Sequence, residues 1–444
     1  MQNMAITNKE TNRRSIIIIG ALFFIFGFVT WLNSVLIPYL QIACELSNFE
    51  SYFVVFAFYI SYLVMAIPSA WILNRTGFKK GMSLGLLIMA FGAVIFVPAA
   101  INRAYEIFLL GLFVQGTGLA LLQTAANPYI TIIGPLESAA KRISIMGICN
   151  KVAGALAPII LGAIALQNID SLISRLDSME TAQRIAELDA LSARVITPYI
   201  IMTTVLVSLA IMIFYSSLPE LQEEKEGEIR VNTNESKTNI FQFPHLLLGT
   251  LAMFLYIGVE VIAGDTVISY GLEQGISAVN AKFFTTYTLI AMIVGYLVGI
   301  VTIPRYINQA KALKISGILG IILGLSAIHT SGFISVLFIS LLGLANALVF
   351  PAIWPLALAG LGKFTKIGSS FLIMALSGGA ILPLVYGWVA DLVDPKQAYW
   401  IVIPCYIFIL FFSTNGYKIG KERKLGTSDK SDLFYANSKI SGEI

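Results

Sequence analysis

Twelve apolar runs follow one another along almost the entire chain, each about as long as the roughly 20 residues a helix needs to cross a bilayer's hydrocarbon. They lie near 16–40, 51–73, 80–100, 104–133, 142–167, 194–218, 244–270, 280–303, 311–329, 333–360, 365–391 and 397–415. Charged residues make up 12% of the 444, against 57% hydrophobic. A soluble domain carries about 25% charged residues, so this chain lacks the polar side chains to cover a water-facing surface. The predicted class is therefore an all-α membrane protein of twelve transmembrane helices. The first run follows Arg13 and Arg14 as a signal peptide would. Its length, and the similar runs after it, make it an uncleaved first helix.

The basic residues orient the spans. With the N-terminus inside, the inner segments and C-terminal tail hold 22 of the 29 Lys and Arg, and the outer segments hold 6. Lys151 falls within a span. Lys and Arg concentrate in cytoplasmic loops, so this asymmetry predicts a multi-pass protein of the inner (plasma) membrane with both termini cytoplasmic. Residues 219–243, rich in Glu, Lys and Asn, form the longest inner connection. The predicted organisation is an N-terminal six-helix half over 1–218, a cytoplasmic linker over 219–243, a C-terminal six-helix half over 244–420, and a disordered cytoplasmic tail over 421–444. The polar stretch 168–193 reads as a short surface helix.

The halves repeat one another. Arg75 in NRTGFKK corresponds to Arg305 in PRYINQAK at an offset of 230, and Pro128 in ANPYITIIG to Pro355 in IWPLALAG at 227. GALAPIILG from Gly154 aligns with GAILPLVYG from Gly379 at 225. Three anchors in order at near-constant offset mark an internal duplication. Two parallel six-helix halves joined by a charged inner loop resemble the architecture of major facilitator transporters.

Local motifs extend the resemblance. ILNRTGFKKG is similar to the major facilitator loop signature, with Asn74 where Asp is usual. GFVTWLNSVLIPYL, LLQTAANPYITIIGP, KRISIMGICNKVAGALAP and YIGVEVIAGD resemble the fucose–proton symporter family, and within it the glucose/galactose transporter branch. The match runs from about Ile16 to Asn415. It implies import of a small-molecule sugar of the hexose class by alternating access, with no cofactor beyond a possible co-transported H⁺ or Na⁺. Three positions depart from the fucose symporter pattern: Ser34 stands for Asp, Gln123 for Glu and Gly147 for Gln. The two missing acids are the proton-linked groups in the family picture, so proton coupling by that route does not carry over.

Polar residues inside the spans are the candidate site. An amide both donates and accepts hydrogen bonds, as a sugar hydroxyl does. Asn33, Gln123, Asn127, Asn150 and Asn346 are the candidate sugar-binding amides, with Gln123 and Asn127 on one helix face at spacing four. Phe350 and Trp354 continue a stripe from Asn346 and offer an aromatic face to a pyranose ring. The alternative for these amides is hydrogen bonding between helices.

Charges within hydrocarbon are expensive and usually face a cavity or a partner. Lys151, Glu260 and Asp265 are thus the candidates for cation coupling. Counted from Arg142 and Pro244, Lys151 lies about 14 Å and Glu260 about 24 Å into their spans, a difference that argues against direct contact. Asp265, about 140° further around the helix than Glu260, is expected at the outer mouth. Arg75 and Arg305, with Lys79 and Lys80, are placed at the inner mouth as candidate gating residues. Gly154, Pro158, Gly379 and Pro383 permit close packing and bending.

The two histidines and three cysteines have no zinc-type spacing, and no nucleophile–base set suggests an enzyme. The expected partners are the sugar and the lipid bilayer, not nucleic acid, and the expected unit is a monomer. Two alternatives stay open: an uncoupled sugar facilitator, and an exporter of drugs or other amphiphiles on the same fold.

Overall fold

A computed structural model describes residues 2–132, 139–176, 178–216, 218, 239–303, 305–361 and 364–420. Most of the expected linker and the whole of the 421–444 tail lie outside the described residues. Among the described residues, eleven helical segments are long and apolar enough to cross a membrane. One of them, Phe53–Ile101, is 49 residues long and turns at Gly77, where φ is 75° and ψ 173°. Only glycine adopts that backbone without a steric penalty, so NRTGFKK folds the segment into two spans. The total is twelve.

In chain order the spans are α1 (Gln2–Trp31, continued as Asn33–Ala43), α2 (53–76), α3 (78–101), α4 (Tyr105–Ile132), α5 (Ala139–Ala165) and α6 (Ile196–Tyr215). They continue as α7 (Pro244–Asp265, then Val267–Glu273), α8 (Phe283–Thr302), α9 (Gln309–His329) and α10 (Gly332–Asn346, then Val349–Leu358). The last two are α11 (Thr365–Met374, then Gly378–Leu392) and α12 (Val402–Thr414). The stretch expected as one surface helix forms two, Ile169–Leu176 and Thr181–Ala193. Residues 178–180 carry turns between them.

Several spans break where the side chains compete with the helix ladder. In α7 the Thr266 hydroxyl donates to the Ile262 carbonyl at 2.7 Å, which loosens the turn at that point. In α10 Pro351 has no N–H to return to Ala347, and the helix pauses over 347–348.

α1 packs on α5, α3 and α4 cross at Gly85 and Gly118, and α6 packs along the α2–α3 segment. In the second half α7 contacts α10, α11 and α12, while α9 runs beside α10 and α12. The two groups meet through α5 against α8 and α2 against α11. The Thr286 hydroxyl of α8 donates to the Ala155 carbonyl of α5 across this junction at 2.7 Å. Trp31, Ala155, Leu289, Met292 and Ala347 form a separate apolar cluster there, with members from both groups.

A candidate transport site between the halves

Two charges from different halves meet inside the bundle. Lys151 Nζ of α5 donates to Glu260 Oε1 of α7 at 2.6 Å, and both residues are only 8% exposed. Sequence reasoning kept them apart, and the structure corrects it. The depth count began at Arg142, whereas α5 begins at Ala139, which moves Lys151 about 4.5 Å deeper. The lysine stem, with about 6 Å of reach along four methylenes, covers the rest. Pairing compensates two charges that burial would otherwise make prohibitively costly.

Trp31 forms the floor of this pair, with Lys151 Nζ 4.7 Å from the centroid of its ring. The indole fits because it lies between two glycines: a Cβ on Gly154 would stand 2.2 Å, and one on Gly264 2.0 Å, from its ring atoms. Tyr256, one turn before Glu260 on α7, is buried as well. A tryptophan from α1 thus touches α5 and α7, tying the ion pair to both halves.

Asp265 is 0% exposed, and neither carboxylate oxygen has a hydrogen-bond partner among the described residues. Asn33, 1% exposed, likewise has both amide atoms unpartnered. Buried polar atoms are nearly always bonded, so these two stand out among the buried polar groups.

The remaining amides divide. Gln123 Nε2 of α4 donates to Tyr62 Oη of α2 at 3.0 Å. It lines a cavity of about 20 Å³ with Tyr62, Met65, Thr124, and Ile373 and Leu376 of α11, room for about one water. Its walls come from both halves. Gly147, where the family pattern has Gln, faces open space: no atom of the described residues lies within 4 Å of a Cβ placed there. Asn150 Nδ2 donates to the Phe23 carbonyl at 3.4 Å, between α1 and α5. Asn346 is fully buried and accepts from Tyr406 Oη of α12 at 2.9 Å, which draws it into the packing of the second half. Trp354 stacks on Phe350 with centroids 5.5 Å apart. The side chain of Asn127 lies outside the described residues.

Arg75 and Arg305 are exposed, each over an aromatic ring of its own segment, Trp71 at 3.9 Å and Tyr306 at 5.3 Å. Among the described residues neither takes part in an ion pair. Sequence reasoning missed Trp31 and Tyr62. Their signal was present but ambiguous, because an aromatic residue in an apolar run reads as packing until its polar neighbours are known.

Comparisons with known proteins place the fold in a family. The family model described as Major Facilitator Superfamily matches residues 19–383. The chain belongs to that superfamily. This makes it a multi-pass membrane transporter rather than an enzyme. It is 34% identical over 400 residues to the glucose/galactose transporter of Brucella abortus, covering 89% of this chain and 92% of that one. It is 30% identical over 375 residues to the L-fucose-proton symporter of Escherichia coli, covering 84% and 85%. Among solved structures, the superfamily transporter FucP in the outward conformation aligns at a TM-score of 0.69 with 28% identity, covering 93% of this chain and all of that one.

Proposed function

We propose that this superfamily member imports a hexose of the glucose/galactose type across the cytoplasmic membrane by alternating access, with both termini cytoplasmic and one chain as the transporting unit. The observation that carries the reading is Gln123. Its amide lies at a cavity with one wall from each half, where a sugar hydroxyl can exchange for the Tyr62 bond without leaving either group unpaired. The names of the relatives, a glucose/galactose transporter and an L-fucose-proton symporter, support the sugar class. In this reading 1–218 and 244–420 rock about the central site, and Asn33 and Asn127 complete its amide lining.

Coupling to protons is assigned to Glu260. With Ser34 and Gln123 in place of the family's acids, the buried carboxyl that also contacts the opposite half is Glu260, paired with Lys151. A proton on Glu260 releases the lysine, and loss of that proton restores the pair. Asp265 is assigned a supporting role as a neighbouring acid. A second reading is favoured by the same contact: Lys151 supplies a permanent cation where a symporter needs a mobile one, which describes an uncoupled facilitator.

Labelled glucose and galactose uptake into proteoliposomes with an imposed pH or Na⁺ gradient separates the two. Proton coupling predicts accumulation driven by the pH gradient in the wild type and equilibration only in Glu260→Gln. Wild-type uptake indifferent to both gradients leaves the facilitator. Accumulation that persists in Glu260→Gln contradicts the assignment of Glu260.

A further inference from the structure

Contacts between the halves cross the end of the bundle poor in Lys and Arg, the outer end in the proposed orientation. Two of them are carboxylates that cap a helix of the opposite half. Asp391, near the end of α11, accepts from the Asn48 N–H at 3.0 Å and from the Phe49 N–H at 2.8 Å. Those are the first two amides of the helical turn Asn48–Ser51 that leads into α2. Reciprocally, Asp170, just beyond α5, accepts from the Ala278 N–H with both oxygens, at 3.1 and 3.2 Å. Ala278 opens the turn Ala278–Ala281 that leads into α8.

The accounting of backbone donors shows why these bonds matter. A helix start leaves its first N–H groups without intrahelical acceptors. At 48–51 the local cap Ser47 satisfies only Glu50 N–H, and Asp391 takes the two before it. At 278–281 the N-cap Ser277 makes no side-chain cap bond, and Asp170 supplies the acceptor. Asn48 and Ala278 are separated by 230 positions, the offset that relates Arg75 to Arg305. The acids themselves are not copies of one another. Asp170 lies 16 residues after Gly154 and Asp391 only 12 after Gly379, about one helical turn apart in the register of the repeat. Each half therefore caps the corresponding turn of its partner from a different position.

The surroundings are built for close approach at the same end. Tyr52 packs edge-on against Tyr386, ring centroids 5.5 Å apart. A Cβ on Gly387 would stand 2.3 Å from the Tyr52 ring. Both carboxylates are themselves solvent-exposed, so when the halves part, water replaces the lost bonds at modest cost. Such a contact biases the position of the halves without locking it.

The geometry points to Asp170 and Asp391 as a reciprocal pair of positioning residues that hold the outer mouth closed during the transport cycle. This rests on the proposed orientation and on alternating access. Loss of a helix cap typically changes an equilibrium about fivefold, so each acid should bias closure by about that factor, and the pair by about twentyfold or more if the two act independently.

The test uses Ser269→Cys, a position 4% exposed on the outer extension of α7, labelled by a membrane-impermeant maleimide in sealed right-side-out and inverted vesicles. Relative to the Ser269→Cys parent, adding Asp170→Ala or Asp391→Ala should each speed labelling from the outside about fivefold, and adding both should speed it further. Asp391→Asn keeps one of two accepting oxygens and should fall between the parent and Asp391→Ala. Asp170→Asn keeps an acceptor for its single N–H and should match the parent. Rates within twofold of the parent in all the alanine variants, with hexose counterflow intact, overturn the inference. If alanine variants fail to accumulate, an Asp391→Asn rate equal to the parent's overturns it. Labelling that responds to the mutations only in inverted vesicles contradicts the orientation and leaves the latch itself supported.

Discussion

Replacing Lys151 by Met keeps most of the side chain's length and deletes the charge 2.6 Å from Glu260. The carboxylate left behind is 8% exposed and cannot turn to water, and breaking a buried pair from one side costs about 3–5 kcal/mol. Glu260→Gln strands the ammonium instead. That loss should be smaller, because the Trp31 ring beneath it retains a cation–π contact worth about 0.5–2 kcal/mol. The double variant Lys151→Met with Glu260→Leu removes both charges and fills the space with apolar atoms, a change that is often neutral or stabilising. The apparent thermal midpoint in detergent should thus fall in each single variant and recover most of the loss in the double. The coupling between the two changes should be about 2 kcal/mol or more, as expected for groups in direct contact. A double variant whose midpoint falls by the sum of the two single losses refutes the reasoning, because it shows that the pair is not coupled in the protein's working state.

Gln123→Ala should weaken hexose affinity, read as a raised KM for counterflow, without loss of expression; an unchanged KM removes Gln123 from the site. Gly264→Ala would place a Cβ 2.0 Å from the Trp31 ring, and overpacking of this kind costs about 1–3 kcal/mol. Its lowered thermal midpoint should be largely restored by adding Trp31→Leu, and failure of that rescue contradicts the described packing.

Particular residues show how far the sequence is legible. The spans were readable because hydrocarbon thickness fixes their length, and Gly77 placed the turn between α2 and α3 inside a motif already singled out. The duplication was readable because both copies kept Gly and Pro at matching positions. The Lys151–Glu260 contact was not. It depends on where α5 begins and on the reach of a flexible side chain, and neither follows from counting residues. Asn346 shows the limit for amides. Its chemistry suits a sugar as well as it suits Tyr406, and only the packing of α10 on α12 decides which neighbour it meets. Trp31 was invisible as a site residue because its role comes from Gly154 and Gly264, more than 100 and 200 residues away in the chain.

The central claim is that a hexose passes between the two halves, and counterflow tests it without assuming any coupling ion. Proteoliposomes loaded with unlabelled glucose or galactose are diluted into the labelled sugar with no ion gradient present. The account predicts a transient accumulation of label above its external concentration, abolished by excess unlabelled hexose outside. No overshoot with either hexose from folded protein, together with efflux of an apolar dye from the same vesicles, would contradict the account and favour an amphiphile exporter on this fold.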